Sequence, residues 1–241
     1  MNINDDDIKK RNAKSHLDGY GILYKDDDGF VEIKSEKPII DDNCKINCSL
    51  LSKIKNIYSN YVMVFIRKNN LKNHNKLNNV QPFHYKNKFF LHNGEFNKYC
   101  KYLKDDLLSK INKKYLDIIG NDLDSKILFC LLLSNINFKD TMDDMYSDIH
   151  DIINFIQKIT NNDFNISLNF ILSDDKLDTH ICLRYRTCNE IAPSLYYNLN
   201  YHNGIVISSE PIDLDKNWKL LKQQLLIINK NDHKIYDLTN N

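Results

Sequence analysis

Hydrophobic and polar positions follow two rhythms along this chain. Residues 57–68, IYSNYVMVFIRK, hold a continuous apolar run rich in β-branched and aromatic side chains, which predicts a buried strand. NKFFLHN, at 87–93, predicts another. HLDGYGILYK (16–25) reads as a glycine turn entering a strand, and DDDG (26–29) as a turn before the strand FVEIK. The rhythm then changes. FNKYCKYLKDDLLSKINKKYLDII (96–119) has apolar residues at three and four spacing, an amphipathic helix with Gly120 as its stop. DSKILFCLLLSNI (124–136) predicts a buried helix with an acidic start, and DTMDDMYSDIHDIINFIQKITNN (140–162) a third helix.

Beyond residue 162 the chain returns to strands: FNISLNFILSD, DTHICLRYR, SLYYN, NGIVISSEP, QQLLIINK and HKIYDL. The turns between them, SDDK, HNG and KNDH, are of hairpin size, so most pairings should be antiparallel. Helices set among antiparallel strands imply an α+β fold of stacked sheets covered by helices. No internal repeat and no Pro/Gly/Ser-rich linker interrupts the 241 residues, which favours one continuous domain over 1–241.

Composition narrows the function classes. Lys and Arg total 33 against 32 Asp and Glu, so no net field or basic run favours nucleic acid. The longest apolar stretch, ILFCLLL, falls short of the ~20 residues a membrane helix needs. The start, MNINDDDIKKRNAK, is too polar and acidic for a signal or transit peptide, which points to a cytoplasmic protein. The six cysteines have no paired C-x-x-C spacing, so neither a disulfide framework nor a zinc site is expected. Cys100 and Cys130 fall in helical patterns and read as small buried hydrophobes.

Candidate chemistry lies where apolar elements stop: Asp18 just ahead of Gly19 and Gly21, Arg67 at the end of its strand, Asn93 and Gly94 in LHNGEF, and Asp124 opening a buried helix. Each has a plain reading as well. Asn-Gly suits a turn, Arg67 can reach solvent along its stem, Asp124 can be a helix cap, and Asp18 a turn aspartate.

In their order these stretches resemble the class II glutamine amidotransferases, of the N-terminal-nucleophile hydrolase superfamily. Among its branches the resemblance is nearest to the one containing the glutathione-degrading amidotransferase subunit of yeast. HLDGYGILY is similar to the family's Asp-Gly-aromatic-Gly strand, and FIRKNN...NNVQPF to its Arg strand and Asn-x-His-Pro-Phe loop. FFLHNGEF resembles its His-Asn-Gly strand end, and DSKILFCLLL its Thr-Asp-Ser-Glu helix start. RTCNEIAPSLYYN and VISSEPIDLDKNW resemble its Ser-Leu-Tyr and Ser-Glu-Pro...Trp strands.

The resemblance implies a four-layer αββα sandwich and a ligand that is glutamine or a γ-glutamyl amide. It gives Arg67 the α-carboxylate and Asp124 the α-ammonium, with Asp122 as a nearby alternative. The Asn93 side-chain amide and the Gly94 backbone N–H become the oxyanion donors. No cofactor or metal is implied. A peptidase or other protein partner is possible, as for the yeast relative.

Some positions depart from the pattern. The family's nucleophile is a cysteine at the mature N-terminus, whereas this sequence begins Met1-Asn2 and has only fifteen residues before His16. The first strand and the thiol are therefore expected to be absent, leaving either an inactive binding or scaffold subunit or a longer, active product. Gln81 stands where the family has His, Leu123 for its Thr and Lys126 for its Glu.

Overall fold

A computed structural model describes residues 19–40, 48–67, 77–94, 97–120, 124–160, 166–176, 178–187, 192–230 and 232–238, with side chains left aside over 97–102. Its contacts divide the chain into two compact units, Met1–Pro82 and Phe83–Asn241.

In the first unit β1 (Tyr20–Lys25) is the centre of an antiparallel sheet, with β2 (Phe30–Ser35) on one side and β3 (Val62–Ile66) on the other. The β1–β2 turn closes because the Asp26 carboxylate accepts from the Asp28 and Gly29 N–H groups at 2.9 and 3.0 Å. A short helix that the pattern did not reveal, α1 (Cys48–Ile54), buries Leu50 against Tyr20 and Ile22. Gly21 is glycine because β1 runs against the backbone of the next segment: a Cβ there would lie 1.8 Å from the Gln81 carbonyl oxygen.

The second unit contains the larger sheet. Its strands are β4 (Phe83–Tyr85), β5 (Lys88–His92), β6 (Phe170–Asp174), β7 (Thr179–Arg184), β11 (Gln224–Asn229) and β12 (Asp232–Asp237). They are ordered β12-β11-β7-β6-β5-β4, with every neighbour antiparallel. A smaller sheet pairs β8 (Tyr196–Tyr201) with β9 (Gly204–Ser208) and with the two-residue β10 (Lys219–Leu220). The helices are α2 (Asn97–Ser109), α3 (Leu116–Ile119), α4 (Asp124–Asn135) and α5 (Met142–Ile159).

Strand alternation assigns the layers. Ile181, Leu183, Leu225 and Ile227 join the core with α4 and α5, whereas Cys182, Leu226 and Ile228 point the other way and pack on Leu195 and Tyr197 of the small-sheet side. The six-stranded sheet is thus covered by helices on one face and by a second sheet on the other, as the α+β expectation requires.

Two helices follow the sequence pattern closely. α4 is buried from Asp124 through Leu133, so it is a core helix without a solvent face. α5 buries Met145, Ile149, Ile152, Ile153 and Ile156 and starts with a capping box between Thr141 and Asp144.

The long helix expected over 96–119 is a correction. The backbone leaves the helix after Ser109, and Asn112 takes an extended conformation. Its N–H donates to Ser134 Oγ of α4, and its side chain accepts from Lys114 N to start a short 3-10 turn. A polar residue able to bond its own backbone thereby splits one periodic segment into α2 and α3.

Phe129 of α4 is fully buried and stacks on Phe90 of β5 with ring centroids 5.1 Å apart. Phe129→Ala is expected to lower unfolding free energy by about 3–5 kcal/mol in chemical denaturation. Thr141→Ala, which removes only the helix cap, should cost about 1 kcal/mol in the same measurement.

Candidate functional site

β5 carries Phe90 and His92 on one face, and both turn toward the helices: Phe90 stacks on Phe129, and His92 reaches α4. Sheet-like bonding continues past the strand end, because Asn93 N–H donates to the Asn169 carbonyl at 2.8 Å. Neither Asn93 nor Gly94 adopts positive φ, so the reading of Asn-Gly as a left-handed turn does not hold. Gly94 is instead required by close approach. A Cβ would sit 2.1 Å from the Ser167 carbonyl oxygen and 2.4 Å from His92 Nε2. Asn93 and Gly94 themselves are exposed, at the end of a strand whose apolar residues are buried.

The His92 ring is buried. Nε2 lies 3.2 Å from the Ser167 carbonyl oxygen and Nδ1 lies 2.9 Å from Ser125 Oγ. Burial holds its pKa below the ordinary value, against the opposing pull of the Asp124 charge, so the ring is neutral at neutral pH. Asp124 is the first residue of α4, where the helix dipole favours an anion. Its Oδ1 accepts from the Ser125 N–H at 2.7 Å and lies 3.3 Å from Ser125 Oγ. Asp124, Ser125 and His92 therefore form one chain of contacts that ends at Asn93 and Gly94. Lys126, next on the helix, sets its ammonium 5.7 Å from the Phe83 ring centroid.

The other motifs of this unit converge on the same corner. Asn93 Nδ2 faces Ser209 Oγ of the Ser-Glu-Pro segment at 3.5 Å, and Ser194 of the Ser-Leu-Tyr segment donates to Glu210 at 2.9 Å. The loop after Glu210 is gathered by Asp213, which accepts from Trp218 Nε1, Tyr201 OH and Asp215 N. Those bonds hold its carboxyl below the usual carboxylate range. Buried Arg184 spends its donors on the carbonyls of Ala192, Pro193 and Leu221, which secures the 192–195 segment.

Of the residues singled out in the sequence, Asn93, Gly94 and Asp124 are brought together in this unit. Arg67 belongs to the first unit, where it is buried just past β3 and its N–H donates to the Gly19 carbonyl at 2.9 Å. Asp18, Asp122 and Leu123 lie outside the described residues. His92, Ser125 and Ser209 were given no role from sequence, although each stands inside or beside a quoted motif. Among the described residues no cluster of His, Cys, Asp or Glu could hold a metal, and no helix is long and apolar enough to cross a membrane. Burial raises the Cys130 thiol to about 12 and also raises Cys182, so neither is a thiolate at neutral pH. Cys100 lies among the side chains left aside.

Gly94→Ala is expected to lower stability by about 1–3 kcal/mol through overpacking against Ser167. Gly204→Ala, whose Cβ would meet only the Tyr201 carbonyl at 3.4 Å, should stay within about 0.5 kcal/mol on the same denaturation curve. The depressed histidines also give a pH dependence. His92 and His180 titrate in the fold below their ordinary value of 6.5. The unfolded chain therefore binds more protons in that window, and their contribution is present above pH 6.5 and lost as pH falls toward the folded pKa values. Stability measured by denaturation should decline below pH 6.5, and the decline should be shallower in His92→Gln.

The family model for class-II glutamine amidotransferases matches residues 7–187. No curated protein matches the sequence. The fold is similar to that of a glutamine aminotransferase class-II domain protein from Silicibacter pomeroyi, with TM-score 0.65 and 20% identity over 90% of each chain. It is also similar to glutamine phosphoribosylpyrophosphate amidotransferase from B. subtilis, with TM-score 0.57 and 17% identity over 94% of this chain and 44% of that one. The present chain thus spans less than half of that enzyme's length. The family match covers three quarters of the sequence and includes the His-Asn-Gly corner and the Asp-Ser helix start, and on that ground the chain belongs to the class II glutamine amidotransferases.

Proposed function

We propose that residues 1–241 act as one amidotransferase-like domain that binds L-glutamine or a related γ-glutamyl amide. One observation carries the reading: the contacts from Asp124 through Ser125 to His92 tie an acidic helix start to the exposed Asn93-Gly94 strand end. Such a ligand has an ammonium, a carboxylate and a side-chain amide. Asp124 takes the ammonium, and the Asn93 amide with the Gly94 N–H takes the amide carbonyl oxygen; the carboxylate role of Arg67 rests on the family resemblance and on its two-pronged donor geometry. The resemblance of the motifs to the branch that degrades glutathione favours a γ-glutamyl substituent.

The chemistry of amide hydrolysis in this family needs a thiol beside a free α-amine. In a polypeptide without such a thiol the corner binds the amide without cleaving it, and in one that carries it the same corner serves a γ-glutamyl amide hydrolase. In the first role the chain is a binding or scaffold subunit, with a peptidase or another protein as partner.

Calorimetry with L-glutamine on the 241-residue chain tests the binding reading: heat of binding is expected, with no ammonia released. Asp124→Asn should weaken binding by about tenfold or more, the scale of one charge-assisted hydrogen bond. Ammonia release at a steady catalytic rate would refute the inactive reading, and silence in the calorimeter would refute the binding one.

A further inference from the structure

We propose that Asn169 is a positioning residue, a buried amide that holds the Asn93 side chain so that one of its hydrogens is left for a ligand. The inference rests on the glutamine-binding reading above. It starts from an unpaired atom. Asn169 lies just before β6 and is only 2% exposed. Its Nδ2 donates to the Pro193 carbonyl, which also accepts from Arg184 Nε at 2.8 Å. A carbonyl can only accept, so the Asn169 amide cannot turn over, and its Oδ1 is fixed on the other side. That oxygen is buried and has no hydrogen-bond donor among the described residues. An acceptor left that way is costly, and a donor within reach is drawn to it.

Asn93 is the donor that the sheet sets opposite it. His92 pairs with Phe170 in the β5–β6 ladder. The next pair outward is Asn93 with Asn169, joined by the bond from Asn93 N–H to Asn169 O at 2.8 Å. His92 and Phe170 face the helices, so Asn93 and Asn169 both face the small-sheet side. Side chains directly opposite each other have Cβ atoms about 5 Å apart, a gap that two asparagine amides span by rotation. Ser167 Oγ is also buried without a partner. It stands two residues along the same strand, however, about 6–7 Å away, on a shorter side chain.

The Asn93 amide is placed to respond. Its Nδ2 stands 3.5 Å from Ser209 Oγ, at the long end for a hydrogen bond. Asn93 is exposed, so its amide turns without disturbing the core. A side-chain amide has two N–H groups that point in different directions. With one given to Asn169 Oδ1, the other is left for the amide oxygen of a ligand, beside the Gly94 N–H. Donors fixed before the ligand arrives recognise it best, and an amide free to rotate toward Ser209 loses that aim.

Nitrogen-15 NMR of the full chain tests the pair without any substitution. The Asn93 side-chain amide should show two separate proton signals, one of them protected from exchange with water. Calorimetry then tests the role. Asn169→Ala should weaken L-glutamine about fivefold, the scale of one neutral hydrogen bond. Made on top of Asn93→Ala, the same change should cost less than about twofold, because Asn169 acts through Asn93. Should Asn169→Ala fail to fold, the NMR result on the parent protein decides alone. Free exchange of both Asn93 hydrogens, as when the Ser167 hydroxyl serves the acceptor instead, overturns the positioning role while glutamine binding stands. Losses that multiply independently, or no loss in Asn169→Ala, do the same. A parent chain that gives no heat with glutamine overturns the glutamine reading itself, and this role with it.

Discussion

A buried imidazole must satisfy two ring nitrogens that differ in kind, and the site depends on how His92 meets that requirement. One nitrogen is spent on a backbone carbonyl of the 166–169 segment and the other on a serine at the start of α4. Leaving either unpaired in a helix–sheet core would cost about 1–3 kcal/mol. The cheapest arrangement is therefore one in which β5, the 166–169 segment and α4 meet at a single ring. Gly94 can then follow the strand only because it has no side chain to strike that ring or the Ser167 carbonyl.

The rest of the second unit reads as support for this meeting point. α4 is buried along nearly its whole length, so its first turn cannot shift without disturbing Phe129 and the sheet beneath. On the opposite face of the sheet, Arg184 binds three carbonyls and Asp213 collects three donors, holding the segments that bring Ser194, Ser209 and Glu210 near Asn93. Rigid elements and satisfied polar groups of this kind are what a binding corner needs if its donors are to be aimed before a ligand arrives.

Much of this was legible in the residues. α4 and α5 were readable because one is a continuous apolar run after Asp-Ser and the other has a clean three-and-four period behind a Thr-x-x-Asp cap. The strands after residue 166 were readable because their alternation fits two buried faces. The segment over 96–119 misled for a physical reason. Leu107, Ile111, Tyr115 and Ile119 are all buried in the same core, so the apolar period continues across Asn112 even though the backbone leaves the helix there. The hairpin between β4 and β5 and the two-residue β10 escaped notice because strands that short carry almost no period.

The order of motifs determined the family and most of the helix and strand content, because those properties are local or depend only on sequence spacing. Tertiary structure alone decided why Gly94 must be glycine, since the clash it avoids is with a carbonyl at Ser167, far along the chain. It alone decided that the His92 ring lies between a serine hydroxyl at the start of α4 and the Ser167 carbonyl. Side-chain identity is written in the sequence, but the partner each polar atom finds is set only when distant segments are packed together and water is excluded.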